Sequence, residues 1–280
     1  STLSEVMDMY MDRVVGEEAF AAYGRQFPIL VKFISVGGSR TPLMVCPDDV
    51  VAAERFDFLG KTKMWYVLSV GPKARIDIGF DKDVASADFY TACRHGEVGD
   101  MLHCVTPKVG DCFLIRPGEV HAAADVTVLE VAESSPLDFR LFDWGGAASL
   151  DEFDASLNLE AAFDFINYGG YVGTAESDED VLADCNAFKV VRMRISDPMR
   201  VSGSFDGYVA YTCLSGAFSI QTKSPSGGMD SLQVSARESV IVPSEVNEWY
   251  MVPCSSDTEI VEITPGKSEV RDSYLGNRMN

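Results

Sequence analysis

The chain has 280 residues, 46% of them hydrophobic, and a formal net charge of −20 at neutral pH. That length holds one large domain or two of ordinary size with a full core. The charge repels phosphate backbones and anionic lipid, so neither nucleic acid nor a membrane surface is expected as a partner, and no apolar run reaches the roughly 18 residues of a membrane-spanning helix.

The first twenty residues have helical spacing, with Leu3, Val6, Met7, Tyr10 and Val14 on one stripe. They lack a basic stretch followed by an apolar one, so they do not read as a secretory signal; the missing initiator Met leaves upstream sequence an open question. Strand-like segments follow: FPILVKFIS, PLMVC, MWYVLSV and ARIDIGF, the last with Ile76, Ile78 and Phe80 alternating against Arg75, Asp77 and Gly79. Residues 81–104 break the rhythm and read as a short helical insert. Strands resume through VTPKVGDCFLIRPGEVHAAADVTVLEVAE and DFRLFDW, with Gly-Asp and Pro-Gly turns between them. From 146 to 184 the chain turns acidic; SLDEFDASLNLEAAFDFI reads as helix and NYGGYVGTAESDED as an exposed connector. A second β block runs from 185 to 280, and in it Val191, Met193 and Ile195 alternate with Arg192 and Arg194.

The two β blocks share a grammar. PKVGDCFLIRPGEVHAA and QVSARESVIVPSEVNEW each pass from a turn into an apolar strand, a Pro turn and a polar tip. This resembles the cupin repeat, a small jelly roll. The expected fold is therefore mainly β: two cupins in tandem, at 1–145 and 185–280, joined by a partly helical linker at 146–184.

Cys46, Cys93, Cys104, Cys112, Cys185, Cys213 and Cys254 are odd in number, widely spread and without a CxxC pair. That points to a reducing, cytoplasmic compartment rather than a disulfide framework or zinc knuckle, with most of the seven serving as small buried hydrophobes.

A cupin metal site takes ligands two apart on one strand, an acidic ligand from the next strand and a His after the Pro-Gly turn. Side chains two apart share a face, so Met44 and Cys46 share one, Lys63 enters from the following strand and His121 follows Pro117-Gly118.

Across nearly its whole length the sequence resembles the class I mannose-6-phosphate isomerases, the zinc-dependent bicupin family. The resemblance is carried by RQFPILVKFIS, PLMVCPDD, GKTKMWYVL, VGDCFLIRPGEVHAA and LEVAESSPLDFRLFDW. The family's N-terminal Trp-Gly segment is absent. The resemblance implies a zinc held by Gln, His, Glu and His, which fall here on Met44, Cys46, Lys63 and His121. Only His121 is kept. An ammonium offers zinc no lone pair and repels it, so zinc is expected to be weak or absent and no cofactor is required. Lys63 has two readings: a fixed cation standing in for the metal, or a solvated side chain turned outward. Cys46 reads as a buried thiol or, with His121, as half of a tetrahedral site to which Glu130 supplies a third ligand. Met44 reads as core filler.

The resemblance also implies a pocket role for Arg140 and Lys61. A guanidinium suits a phosphate or enediolate oxygen; the alternative for Arg140 is an ion pair with Asp138 or Asp143. The family's polar tract has become Ala132, Glu133, Ser134, Ser135 and Pro136, which weakens the case for substrate positioning. His95 and His103 read as surface residues, and the second β block's turn, VPSEVNEW, carries no His. The resulting site expectation is Arg140, Lys61 and Lys63 as catalytic groups, Arg140, Lys61 and Glu130 as substrate contacts, and His121 with Cys46 as any metal ligands. The expected partner is a small sugar or sugar phosphate, with a homo-oligomer left open. Three functions stay open: a sugar or sugar-phosphate binder with the isomerase activity reduced or lost, an active aldose–ketose isomerase with a remodelled site, and a structural bicupin without ligand.

Overall fold

The structure, a computed structural model, describes residues 2–145, 158–173, 180–203 and 205–266. The chain is mainly β, in antiparallel sheets with few helices. It divides into two compact units: Ile29–Ala175, and Ser1–Pro28 with Glu176–Asn280.

The chain opens with α1 (Leu3–Tyr10), α2 (Asp12–Val15) and α3 (Glu17–Tyr23). Thr2 and Glu5 cap the start of α1 reciprocally. The periodicity predicts one helix here, but the backbone turns at Met11, with φ 48°, and again at Gly16. Of the expected stripe, Met7 and Val14 are buried, whereas Leu3 and Tyr10 stay exposed.

The first β unit contains β1 (Ile29–Val36), β2 (Leu43–Val45), α4 (Asp49–Phe56), β3 (Lys63–Phe80), α5 (Ser86–His95), β4 (Leu102–Val105), β5 (Cys112–Ile115), β6 (His121–Glu133), β7 (Phe139–Phe142) and α6 (Leu159–Ala162). Its sheet runs β4-β3-β6-β2-β7, with β1 also pairing β6 and β5 also pairing β3. Helix α4 lies in a stretch with no predicted element; Asp48 caps it by accepting from the Val51 N–H at 2.8 Å. The insert expected at 81–104 is helical in α5 and in a 3₁₀ turn at Val98–Met101, but from Leu102 on it already belongs to strand β4. Of the helix expected over 149–166, residues 149–157 lie outside the described residues.

The segments MWYVLSV and ARIDIGF, read as two strands, form the single strand β3, which bends where its register on β6 shifts between Val70 and Arg75. At that corner Asp125 adopts φ 53°, and its carboxylate accepts from the Lys73 N–H at 2.7 Å. Gly71 lies against the same carboxylate with no room for a Cβ. The corner lets the sheet curl. Lys63 pairs with Ala132 and Ile78 pairs with His121, so a flat sheet at about 3.3 Å per residue would hold Lys63 and His121 more than ~30 Å apart. Their side chains instead meet.

In the second unit, β8 (Val181–Asp184), β9 (Phe188–Arg194), β10 (Met199–Ser202), β11 (Val209–Ser215), β12 (Ala217–Lys223), β13 (Met229–Ser235), β14 (Ser239–Val242), β15 (Glu248–Pro253) and β16 (Glu259–Pro265) form two sheets, β10-β15-β12-β13 and β14-β11-β16-β9-β8. Tyr211, Phe218, Trp249, Met251 and Ile260 fill the space between them. Among the described residues no helix is long and apolar enough to cross a membrane.

Candidate functional site

Strand β2 is three residues long and lies between β6 and β7, with Met44 opposite His121 on one side and Arg140 on the other. Opposite residues of antiparallel strands share a face. Alternation adds Cys46 to that face beside Met44, and Asp138 beside Arg140. The residues between them, Leu43, Val45, Phe139 and Leu141, are buried in an apolar core with Phe89, Leu159 and Ala162. Burial of one face therefore fixes where the polar face points.

Three backbone ties bring the remaining residues in. The Lys61 N–H donates to the Pro47 carbonyl at 3.1 Å, the Gly118 N–H to the Cys46 carbonyl at 2.8 Å, and the Asn167 N–H to the Gly118 carbonyl at 2.9 Å. Gly118 has φ 83°, and a Cβ there would stand 2.9 Å from the Phe165 carbonyl oxygen; only glycine takes this turn without strain. His121 follows three residues later.

Asp138 is the hub of the result. Lys61 donates to its Oδ2 and Lys63 to its Oδ1. The Cys46 thiol donates to Oδ1 at 3.2 Å. Lys63 Nζ also lies 3.1 Å from His121 Nε2, and His121 Nδ1 lies 3.0 Å from the Glu119 carbonyl oxygen. A carbonyl only accepts, so Nδ1 carries the imidazole proton and Nε2 presents its lone pair to the Lys63 ammonium. Trp65 packs edge-on against the imidazole, with ring centroids 5.5 Å apart. Lys61, Lys63, Cys46 and His121 are all buried.

The protonation states follow from these contacts. Burial pushes the Lys63 ammonium down, and Cys46 first, then the Asp138 and Glu130 carboxylates, raise it above the usual lysine range. Burial pushes the Asp138 carboxyl up, but Lys63 and Lys61 hold it well below the usual carboxylate range. Burial and the Lys63 charge push His121 down to about 3, and burial together with Asp138 pushes the Cys46 thiol far up. At neutral pH the five side chains thus hold two ammonium groups, one carboxylate, a neutral thiol and a neutral imidazole: one net positive charge in a chain whose total is −20.

The structure decides between several alternatives left open by the sequence. Lys63 is not turned out to solvent; it is buried at the centre of the cluster. Cys46 does lie beside His121, but the carboxylate that joins them is Asp138, because Glu130 is already engaged by Trp65 Nε1–H at 2.8 Å and Lys32 Nζ at 3.3 Å. Arg140 Nη1 forms a long ion pair with Asp143 at 4.0 Å, and among the described residues its Nε and Nη1 are buried without a hydrogen-bond partner. Met44 sits between His121 and Arg140 with part of its surface exposed. His95 is exposed, and His103 pairs with Asp81 at 3.2 Å. Asp138 is the functional candidate that sequence reasoning passed over. It entered only as a counter-ion for Arg140, although its position two residues before Arg140 puts it on the same face.

Cys46, His121 and Asp138 offer sulfur, nitrogen and oxygen donors within 4.8 Å of one another, which are donor types that hold zinc. As arranged, each is engaged: the His121 lone pair by Lys63, the Asp138 oxygens by Lys63 and Lys61, and the thiol sulfur by its own proton. The donor set fits a metal ion by type and spacing, and the ammonium between the donors opposes one.

A scan against protein-family models finds no match. A mannose-6-phosphate isomerase from Streptococcus mutans is 24% identical over 243 residues, 84% of this chain and 73% of that protein. Matches to three curated relatives from Bacillus subtilis span 38% to 45% of those proteins' lengths. Among solved structures, the mannose 6-phosphate isomerase from Bacillus subtilis aligns with a TM-score of 0.73 at 20% identity, covering 94% of this chain and 82% of that one. A zinc-bound mannose 6-phosphate isomerase aligns with a TM-score of 0.66 at 10% identity, covering 95% and 86%.

Proposed function

We propose that the chain, a member of the mannose-6-phosphate isomerase family by its curated and structural relatives, binds a phosphorylated sugar in its first β unit with ammonium groups in place of a divalent ion, its isomerase activity reduced or lost. The observation that carries this reading is Arg140. Among the described residues its buried Nε and Nη1 have no hydrogen-bond partner, Nη1 having only the 4.0 Å ion pair with Asp143, and a buried donor left without a hydrogen bond costs about 1–3 kcal/mol. A phosphate or enediolate oxygen removes that cost, and the net positive charge of the Lys61–Lys63–Asp138 cluster lies on the same face. The global charge repels such a ligand, so the attraction is local. Seven cysteines spread along the chain without a CxxC pair support the cytoplasm as the compartment.

Isomerisation through an enediol requires a base with a pKa near working pH. His121 at about 3, Asp138 held below its usual range and Cys46 held above its own do not suit that task. Binding is thus better supported than turnover.

The test is calorimetry with metal-free protein and a coupled isomerase assay. Mannose 6-phosphate is expected to bind and mannose not. Arg140→Met is expected to weaken binding by roughly 10-fold or more, the loss of one charge-assisted contact of about 1.5–3 kcal/mol. Turnover is expected to stay near background with zinc present. Equal affinity for mannose and its phosphate would sink the binding reading. The donor types of Cys46, His121 and Asp138 favour a second reading, an active isomerase with a remodelled metal site, and zinc-dependent turnover would establish it.

A further inference from the structure

We propose that Lys63 is the residue that excludes divalent metal from the Cys46–His121–Asp138 cluster, and that deleting its amine is sufficient to turn the cluster into a Zn²⁺ or Co²⁺ site. The proposal deepens the reading above, that ammonium replaces the ion, and rests on it.

Four observations carry the argument. First, the donors are of the right kind and close enough together: thiol sulfur, imidazole nitrogen and carboxylate oxygen within 4.8 Å of one another. Second, the imidazole is already oriented as a ligand. His121 Nδ1–H is held by the Glu119 carbonyl at 3.0 Å, the outer contact that fixes the tautomer and aims Nε2 in metal-bound histidines. Third, Lys63 Nζ takes the place of the ion. It lies 3.1 Å from His121 Nε2 and donates to Asp138 Oδ1, so the ammonium engages two of the three donors at once. Fourth, Lys61 holds the other Asp138 oxygen, which keeps the carboxylate in position when Lys63 is gone.

The frame also leaves room for the exchange. Lys63 is the first residue of β3, and its strand partners are Ala132 and Ile115. Shortening its side chain leaves the ladder intact and opens a position for water as a fourth ligand. The thiol must lose its proton as metal binds, as thiolate ligation requires, and that proton passes to buffer.

The experiment is Co²⁺ titration of the full chain, read by the thiolate-to-cobalt charge-transfer absorption and the visible bands of tetrahedral Co²⁺, with metal content measured after gel filtration. The wild type is expected to show neither absorption. Lys63→Ala is expected to take up one equivalent with both, bleached by Zn²⁺, and with affinity roughly 100-fold or more above wild type, beyond the ~10–100-fold that an outer contact controls. Adding Cys46→Ser is expected to remove the charge-transfer band. Lys63→Gln, which keeps the side chain's length, serves if Lys63→Ala does not fold by near-UV circular dichroism. Thiolate-bound cobalt in the wild type overturns the proposal. So does a folded Lys63 variant that takes up no cobalt, or takes it up without the thiolate band. Calorimetry of metal-free wild type with mannose 6-phosphate, run alongside, separates the two claims, since failure there sinks sugar-phosphate binding and leaves the cobalt result standing.

Discussion

Asp138 carries more of the site than any other side chain. Two buried ammonium groups and a thiol converge on its two oxygens. Replacing one partner of a buried ion pair leaves uncompensated charge and typically costs about 3–5 kcal/mol. Asp138→Asn is therefore expected to lower the unfolding free energy by that order in urea titration, and Asp138→Asn with Lys61→Met and Lys63→Met is expected to recover much of it. A single variant within about 1 kcal/mol of wild type would mean that the ion pairs are spread through solvent instead. At this scale the sequence was informative about faces and weak about partners. Period-two alternation placed Met44 with Cys46; the same rule puts Asp138 with Arg140, but Asp138 reads from the sequence only as a counter-ion. Alternation did not say which carboxylate Lys63 would meet: Glu130 lies on β6, beside β3, whereas Asp138 precedes β7, two strands farther along the sheet, and their meeting is non-local.

Among elements, the turn before β6 and the corner in β3 decide the site. Gly118 ties the turn to the Cys46 backbone and to Asn167. Gly118→Ala places a methyl 2.9 Å from the Phe165 carbonyl at φ 83°. It is expected to cost about 1–3 kcal/mol, the usual range for a strained backbone position, and to weaken sugar-phosphate binding along with stability. A stable variant with unchanged affinity would show that the turn does not hold His121 in place. Most strands were legible as alternating or apolar runs; β4 (Leu102–Val105) and β8 (Val181–Asp184) fall in stretches that read as helical insert and connector, because each is only four residues long. The corner in β3 was not: VGPKA reads as a turn between two strands, and the pairing with β6 that carries the chain through it is non-local. Helix α4 was missed because DDVVAAERF is short and flanked by strand signals, although Asp48-Asp49 is a fair N-terminal cap. The division into α1, α2 and α3 was missed for a related reason: the apolar spacing survives a backbone turn at Met11.

For the whole molecule, the buried ionisable groups set how stability follows pH. His121 is pushed from 6.5 down to about 3 on folding. The unfolded chain therefore takes up a proton that the folded one refuses, and stability falls as pH drops from 6.5 toward 3. The depressed Asp138 adds a loss at the acid end, below its unfolded value of about 3.9. Cys46 is raised above its model-compound value of 9.0, so the stability it contributes is present below that pH and is lost as pH rises beyond it. The expected profile is a plateau between about 6.5 and 9 with a steep acid limb. His121→Gln is expected to flatten that limb by several kcal/mol between pH 6.5 and 3, at about 1.4 kcal/mol per unit. Unfolding free energies measured across this range check it; an unchanged slope would assign the acid limb to other groups.

The short strand β2 has one more implication. Leu43 and Val45 anchor it in the apolar core while Met44 and Cys46 face the cluster, so scaffold and chemistry are written in alternate letters of the same word. Selection on one set leaves the other untouched. The polar letters can therefore change one residue at a time while the apolar ones keep the strand seated in the sheet.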